Sequence, residues 1–263
     1  MSFVRIAGTL LHYRLSGPEG APALVFVNSL GTDARIWDAV IAAFSDRYLC
    51  VSYDKRGHGL SDAPGGEYGL DDHLDDLEGL LDHLDLGKGT VIGVSIGGLI
   101  AQGLALRAPH RVTALVLCCT APRMGDHAMW TARIDTARTQ GLEPMADPVM
   151  ERWFSPDFRQ HRPEELAGWR NLFLRTDPVG YANTCATLRD TDLSAAIIGI
   201  DAPTLIVAGD ADLAAPVDLV RNCTAIPGSR FEILNGVGHI PSIEQPARLA
   251  DLIQDFLKEA DHG

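Results

Sequence analysis

The chain has few of the features that mark secreted, membrane-spanning or metal-binding proteins. It contains five cysteines, and none of them forms a C-x-x-C pair or stands at metal-ligand spacing from a histidine. An odd number of cysteines, three of them inside apolar strand-like runs, predicts reduced core thiols. No run approaches the roughly 20 apolar residues that a membrane helix needs, and the N-terminal residues lack the pattern of a signal peptide. We therefore expect a cytoplasmic protein with no membrane contact and no metal.

Positive charge is also scarce. The chain has 22 Lys and Arg against 35 Asp and Glu, which gives a formal net charge of −13. Because nucleic acids bind to basic faces, this balance argues against a nucleic-acid partner. Residues 120–189 differ, since they contain nine Arg, no Lys and nine Asp and Glu. A neutral, arginine-rich stretch of this kind is compatible with an entrance for an anionic small molecule.

Apolar strand-like runs precede helix-like segments along most of the chain, which is typical of an α/β protein. Between about 120 and 190 the pattern changes to helical periodicity without a strong β run. We predict an α/β fold whose mostly parallel central sheet has helices on both faces. Residues 1–119 and 191–263 would form this core, and residues 120–190 an inserted helical cap. After an N-terminal hairpin, the predicted strands are 23–27, 49–53, 90–93, 112–118, 204–208 and 230–234, and the predicted helices outside the cap are 36–44, 70–86, 96–107, 216–224 and 245–259.

The strongest chemical signal is the hexapeptide GVSIGG at 93–98, between a predicted strand and a predicted helix. In this G-x-S-x-G pattern the serine occupies a sharp strand-to-helix turn and projects its hydroxyl from the sheet edge. Side chains at positions 93 and 97 would collide with neighbouring elements, which accounts for glycine at both. The following helix directs unpaired N–H groups and its positive dipole end toward the serine. Ser95 is therefore the predicted nucleophile.

A serine hydroxyl is a poor nucleophile until an oriented imidazole takes its proton, so Ser95 needs a histidine and a carboxylate as partners. Two loops after later strands contain candidates for them. The segment GDAD at 209–212 supplies two carboxylates. The later position favours Asp212, with Asp210 as the alternative. His239 lies in a glycine-framed loop after the last strand and is the predicted base. His58, in an RGHG segment after an earlier strand, is its rival, and for it we expect a structural role.

The oxyanion that forms during attack on a carbonyl needs two backbone donors. One should be the N–H of Ile96, directly after the nucleophile. The other should come from the NSLG loop at 28–31, which follows the strand ending at Val27. Within that loop the N–H of Leu30 is our preferred donor.

These motifs, with the order Ser, Asp, His along the chain, resemble the α/β-hydrolase superfamily over essentially the whole sequence. The resemblance is strongest to 3-oxoadipate enol-lactonases of aromatic catabolism. The elbow departs slightly, with Val94 and Ile96 where these lactonases lead us to expect Leu and Met, which bears on pocket shape and not on the reaction class. The resemblance rests on NSLGTD at 28–33, YDKRGHG at 53–59, W-x-x-R at 130–133, RWF at 152–154 and GYANTC at 180–185.

The resemblance implies a bacterial cytoplasmic enzyme of the β-ketoadipate pathway that hydrolyses 3-oxoadipate enol-lactone to 3-oxoadipate through an acyl-enzyme, without metal or organic cofactor. Its partner would be a small lactone that carries a free carboxylate. Arg133, one turn after Trp130, is the first candidate to bind this group, because a guanidinium can grip a carboxylate in two places. Arg138 is the second. Trp130, Trp153 and Asn28 are candidates to line the pocket, although both tryptophans would serve equally well as packing residues.

Two other functions stay open at this point. A carboxylesterase, or a carbon–carbon bond hydrolase of ring-fission products, could use the same three residues. A non-catalytic ligand-binding protein could share the fold, because a fold alone does not establish an activity. Such a binder would have no need of all three groups. The sequence does not decide the oligomeric state, so a homo-oligomer also stays open.

Overall fold

Eight apolar or alternating segments pair into one sheet in the computed structural model, which describes residues 2–260. The first two form the expected N-terminal hairpin, and the other six are the predicted strands with ends shifted by at most one residue. The strands are β1 (Ser2–Ile6), β2 (Thr9–Ser16), β3 (Ala23–Val27), β4 (Leu49–Tyr53), β5 (Gly89–Val94), β6 (Val112–Cys118), β7 (Thr204–Gly209) and β8 (Arg230–Leu234).

Across the sheet the strand order is β1-β2-β4-β3-β5-β6-β7-β8. The pairs β1–β2 and β2–β4 are antiparallel, and all the other pairs are parallel. Every residue of β3, β5 and β7 is buried, as expected for strands that helices cover on both faces. Since the parallel strands run in one direction, the loops after β3, β5, β7 and β8 leave from the same edge of the sheet. The predicted fold class is confirmed.

The connection from β6 to β7 carries five consecutive helices, in the segment where the sequence predicts the cap. The first and last of them pack against each other. The division into a core (1–119 and 191–263) and a cap (120–190) remains our proposal. The helices are α1 (Asp38–Ile41), α2 (Leu70–His83), α3 (Ile96–Arg107), α4 (His127–Gln140), α5 (Glu143–Trp153), α6 (Pro156–His161), α7 (Pro163–Leu174), α8 (Pro178–Asp190), α9 (Val217–Val220), α10 (Pro241–Glu244) and α11 (Pro246–Ala260).

Helix α3 has the predicted bounds, whereas three other helices differ from expectation. The predicted helix 36–44 is a 3-10 turn at Ala34–Trp37 followed by the short α1. Helix α2 ends before residue 86, and Asp85 has a positive φ of 53°, which no α-helix accommodates. The predicted helix 216–224 is α9 followed by a 3-10 turn. No helix within residues 2–260 is both long enough and apolar enough to span a bilayer.

Candidate active site

Ser95 lies at the sharp turn between β5 and α3. Its backbone has φ 59° and ψ −122°, a conformation that non-glycine residues rarely adopt and that marks stored strain. The turn is possible because two glycines leave room for the backbone. A Cβ on Gly93 would lie 2.3 Å from the carbonyl carbon of Gly97, and a Cβ on Gly97 would lie 2.1 Å from Val27 O. The sequence pattern therefore identified the steric reason for both glycines.

The Ser95 hydroxyl lies beside a methionine sulfur. Its Oγ is 4.0 Å from Met124 Sδ, and Thr120 Oγ1 donates to the Ser95 carbonyl at 2.6 Å. Among the residues that the structure describes, no hydrogen bond joins Ser95 Oγ to His239, but the two side chains line one cavity. Catalytic hydrogen bonds of this kind are often long in the free enzyme and tighten in the complex with substrate.

His239 and Asp212 form a buried hydrogen-bonded pair. The distance between His239 Nδ1 and Asp212 Oδ2 is 2.8 Å, and both side chains are almost fully enclosed. The other carboxylate oxygen of Asp212 accepts the N–H groups of Ala214 and Ala215 at 2.7 and 2.8 Å. The carboxylate is thus held on both sides, and it fixes the ring orientation of the histidine.

Asp210 occupies a different position. Its Oδ1 accepts the N–H of Gly236 at 2.6 Å, at the start of the loop that leads to His239. Asp210 is exposed, whereas Asp212 is 3% exposed. The geometry therefore favours Asp212 as the partner of the imidazole and gives Asp210 a contact that holds the loop.

The loop that carries His239 is attached to the end of α5. The N–H of His239 donates to Trp153 O at 2.7 Å. Glu244 accepts the N–H of Gly238 at 2.8 Å and the hydroxyl of Ser155 at 2.6 Å. Burial raises the pKa of Glu244, while these hydrogen bonds oppose the shift. Residues at the end of α5 therefore fix both the backbone of the histidine and the residue before it.

The two predicted oxyanion donors are free to bind a ligand. Within residues 2–260, neither the N–H of Leu30 nor that of Ile96 has a hydrogen-bond acceptor, and Leu30 lines the same cavity as Ser95. The next N–H, of Gly31, donates to His58 Nε2 at 2.8 Å. Burial lowers the pKa of His58 well below its ordinary value, so the ring is neutral and can accept this bond. His58 thus lies against the loop and not in the cavity.

The cavity has a volume of about 100 Å³ and lies between the sheet edge and the cap helices. Trp130 and Trp153 line it, and the guanidinium of Arg133 lies 5.3 Å from the centre of the Trp130 ring. Trp130 is further held by an indole N–H that donates to Met124 O. The residues around the cavity are Ser29, Leu30, Ser95, Met124, Gly125, Met129, Trp130, Arg133, Val149, Arg152, Trp153, Tyr181, Ala214, Leu219 and His239.

Two arginines of the cap face this cavity without a carboxylate partner. Arg133 and Arg152 both line it, and no Asp or Glu in the described part of the chain forms an ion pair with either. Burial, followed by the positive charge of Arg133, lowers the pKa of Arg152. Two partly buried cations at one cavity produce a positive potential, which an anionic ligand would neutralise.

Comparisons with known proteins show which family the chain resembles in sequence and in fold. Residues 22–142 match the family model described as alpha/beta hydrolase fold. The chain is 36% identical to 3-oxoadipate enol-lactonase 2 of Acinetobacter baylyi, over 94% of this chain and 93% of that protein. It belongs to the α/β-hydrolase family. Enol-lactonase 1 of the same organism is 34% identical, over 95% of this hydrolase and 94% of the relative. The crystal structure of the enol-lactonase from Burkholderia xenovorans LB400 superposes with a TM-score of 0.95 at 38% identity, over 98% of this chain and 100% of that one.

Two predicted binding residues of this hydrolase lie elsewhere. Arg138 is exposed on α4 and donates to Glu67 Oε1 and Asn183 Oδ1, each at 3.2 Å. Five residues after Arg133 on a helix, it is rotated by about 140° and faces away from the cavity. Asn28 is fully buried, and its amide donates to Thr32 O within the loop. Neither residue lines the cavity that contains Ser95, so the structure places both predicted binding residues outside it.

Sequence reasoning also missed residues of the site. Arg152 was noticed only as part of the RWF motif, although its place next to Trp153 at the end of a cap helix could have suggested it. Cys119, which has a positive φ of 48°, was assigned simply to the core. Of the residues described, the one group of three that could hold a metal ion is Cys119, Asp212 and His239, with ligand atoms within 4.8 Å of one another. Burial raises the pKa of Cys119, and Asp212 and His239 already hydrogen-bond each other, so this group belongs to the candidate active site described above.

Proposed function

We propose that this hydrolase opens the ester bond of a lactone that carries a carboxylate, with 3-oxoadipate enol-lactone as its substrate. One observation carries the proposal: the cavity that contains Ser95 and His239 also contains Arg133 and Arg152, two cations without carboxylate partners in the described residues. The names of the relatives at 34–38% identity support the same substrate class. On this proposal the enzyme works in the cytoplasm, in the β-ketoadipate pathway of aromatic catabolism.

In the first step Ser95 Oγ attacks the lactone carbonyl while His239 takes its proton. Asp212 holds the imidazole in the tautomer that can accept this proton and stabilises the resulting cation. The negative charge that forms on the carbonyl oxygen is held by the N–H groups of Leu30 and Ile96. Each such donor is worth about 2.7–4 kcal/mol of barrier stabilisation.

Collapse of the tetrahedral intermediate breaks the ring C–O bond and leaves the acyl chain on Ser95. The leaving oxygen departs as an enolate and takes the proton that His239 received from Ser95, which leaves the imidazole neutral again. The resulting enol becomes a ketone, so the ring does not readily close again. A water molecule then gives a proton to His239 and attacks the acyl carbon. The product leaves as a dicarboxylate, and Ser95 recovers its proton.

The free carboxylate of the substrate would lie against Arg133 and Arg152. Both guanidinium groups can bind a carboxylate through two parallel hydrogen bonds. Trp130 and Trp153 would form the walls on either side, since both line the cavity. Binding of the anion would offset the repulsion between the two arginines, which gives the site a preference for acids over neutral esters.

The decisive experiment compares kcat/KM for the enol-lactone with kcat/KM for simple p-nitrophenyl esters, a neutral lactone and a carbon–carbon ring-fission product. We expect kcat/KM for the enol-lactone to exceed that for each neutral compound by at least about 100-fold, because a neutral ligand leaves the guanidinium groups of Arg133 and Arg152 without a partner. The Ser95→Ala variant should lose turnover of all of them. A preference for neutral esters would identify a carboxylesterase, and turnover that Ser95→Ala leaves intact would exclude the proposed mechanism.

A further inference from the structure

Lys55, at the loop after β4, is buried completely. Its side chain is 0% exposed, and its Nζ donates to the carbonyl oxygen of Ser29 at 2.6 Å. Burial lowers the pKa of Lys55 well below its ordinary value, although the carboxylates of Asp54 and Asp33 oppose the shift. Lysine is almost never fully buried unless it is paired. Among the residues that the structure describes, the one hydrogen bond of this side chain is to Ser29 O, and that contact therefore needs a reason.

The carbonyl that Lys55 binds belongs to the NSLG loop at 28–31, which carries the proposed oxyanion donor Leu30. Ser29 O also accepts the hydroxyl of Thr32 at 2.9 Å and its N–H at 3.3 Å, so three donors meet on one oxygen. No cis peptide bond occurs within residues 2–260, and in a planar trans peptide the C=O and the N–H point in opposite directions. The donors that hold Ser29 O thus determine where the N–H of Leu30 points.

We propose that Lys55 is a positioning residue of the oxyanion hole, which holds the Ser29–Leu30 peptide so that the N–H of Leu30 faces the attacked carbonyl. The inference rests on the proposed function, in which this N–H is one of the two donors. If the peptide rotated, the oxygen of Ser29 would face the developing negative charge and repel it. Lys55 also polarises the peptide, because hydrogen bonds in a chain strengthen one another. Lys55 would therefore stabilise the transition state more than the bound substrate, because the carbonyl oxygen of the substrate carries little negative charge before Ser95 attacks.

A purely structural role for Lys55 makes a different prediction. A buried methionine fills a similar volume without the cost of removing an amine from water. If Lys55 only filled space, Lys55→Met would change the stability and leave kcat unchanged. His73 on α2 provides the matched control: it is equally buried, lies near Lys55, and neither ring nitrogen has a hydrogen-bond partner in the described residues. In the described part of the chain, His73 therefore gives no hydrogen bond to Ser29 O.

The test measures kcat and KM for p-nitrophenyl acetate, together with inhibition by a trifluoromethyl ketone, whose adduct with a serine carries an oxyanion. Because displacement of a catalytic group by about 1 Å can cost 10²-fold, we expect Lys55→Met to lower kcat by about 10- to 100-fold with KM within about twofold. The inhibition constant of the ketone should weaken by a similar factor. Lys55→Gln, which keeps a donor, should recover part of the loss, and His73→Leu should keep the wild-type kcat.

Each result supports or overturns the proposal. A folded Lys55→Met variant with wild-type kcat and ketone affinity would overturn it, as would an equal loss of kcat in His73→Leu. If Lys55→Met fails to fold, Thr32→Val removes a second donor from the same carbonyl and should show the same loss of kcat. Ser95→Ala separates the two proposals: if it leaves turnover intact, the proposed function fails, whereas its inactivity beside a fully active Lys55→Met rejects only the role of Lys55.

Discussion

Replacing the two cavity arginines, singly and together, tests how this hydrolase would select an acidic substrate. Methionine has a comparable length and keeps the apolar contacts of the stem without the charge. Arg133→Met and Arg152→Met should therefore lower kcat/KM for the enol-lactone acid but not for its neutral methyl ester. Arg138→Met is the matched control, because Arg138 lies on the same helix as Arg133 and binds Glu67 outside the cavity.

The size of the effect follows from the contacts that are lost. A hydrogen bond to a charged group contributes about 1.5–3 kcal/mol, which corresponds to about 10- to 150-fold in kcat/KM. The positive charge of Arg133 lowers the pKa of Arg152, so the removal of one arginine relieves a repulsion. Each single variant should therefore lose less kcat/KM than the hydrogen bonds of the removed arginine contribute. The double variant should lose more than the two single losses combined, a non-additivity of the kind seen between neighbouring residues.

The assay is steady-state hydrolysis of the acid and of the methyl ester by the four proteins and the Arg138→Met control. The quantity compared is the ratio of the two kcat/KM values, in which any general effect on folding or on the nucleophile cancels. Equal losses on acid and ester would refute the carboxylate-binding role of the arginines. A loss of the same size in Arg138→Met would show that net charge and not the cavity is responsible.

Three further predictions concern the triad, the elbow and a buried histidine. Asp212→Asn should lower kcat by about 10³- to 10⁴-fold with p-nitrophenyl acetate, whereas Asp210→Asn should stay within a few-fold, and the reverse order would exchange their roles. Gly97→Ala should cost about 3 kcal/mol or more in urea unfolding, because the new Cβ would lie 2.1 Å from Val27 O; a smaller cost would contradict the steric argument. Burial lowers the pKa of His73. As pH falls below about 6.5, the ordinary pKa of histidine, the unfolded chain therefore takes up a proton at this residue before the folded protein does. The free energy of unfolding should then decrease by up to about 1.4 kcal/mol per pH unit. His73→Leu should make the free energy of unfolding less dependent on pH in this range, and an unchanged pH dependence would reject the role of His73.

The elements of the core could be predicted because their signals are local. A wholly apolar run such as that of β3, or the glycine pair around Ser95, contains its own reason for the structure. The short helices at 34–41 were less predictable, since a single turn does not establish a periodicity. Asp212 and His239 could be predicted from their positions after β7 and β8, because the carboxyl ends of parallel strands meet at one edge of the sheet.

The substrate-binding residues could not be predicted in the same way. Whether Arg133, Arg138 or Arg152 faces the cavity depends on how the cap helices pack over the core, and the sequence pattern of an arginine-rich helix does not contain that information. The sequence does not show whether the Asn28 amide points into the cavity or into its own loop, and only the fold shows that it donates to Thr32 O. Lys55 is a still clearer case, because composition alone predicts an exposed lysine.

The hydrogen bond from the N–H of His239 to the carbonyl of Trp153 has a consequence for protein engineering. Removal of residues 120–190 would widen access to Ser95, but it would also delete the carbonyl of Trp153, which anchors the proposed general base His239, and Ser155, which Glu244 binds. A trimmed enzyme for bulkier esters should therefore shorten α6 and α7 while retaining residues 152–155. Deletion of that short stretch would leave the proposed nucleophile Ser95 without a firmly positioned His239.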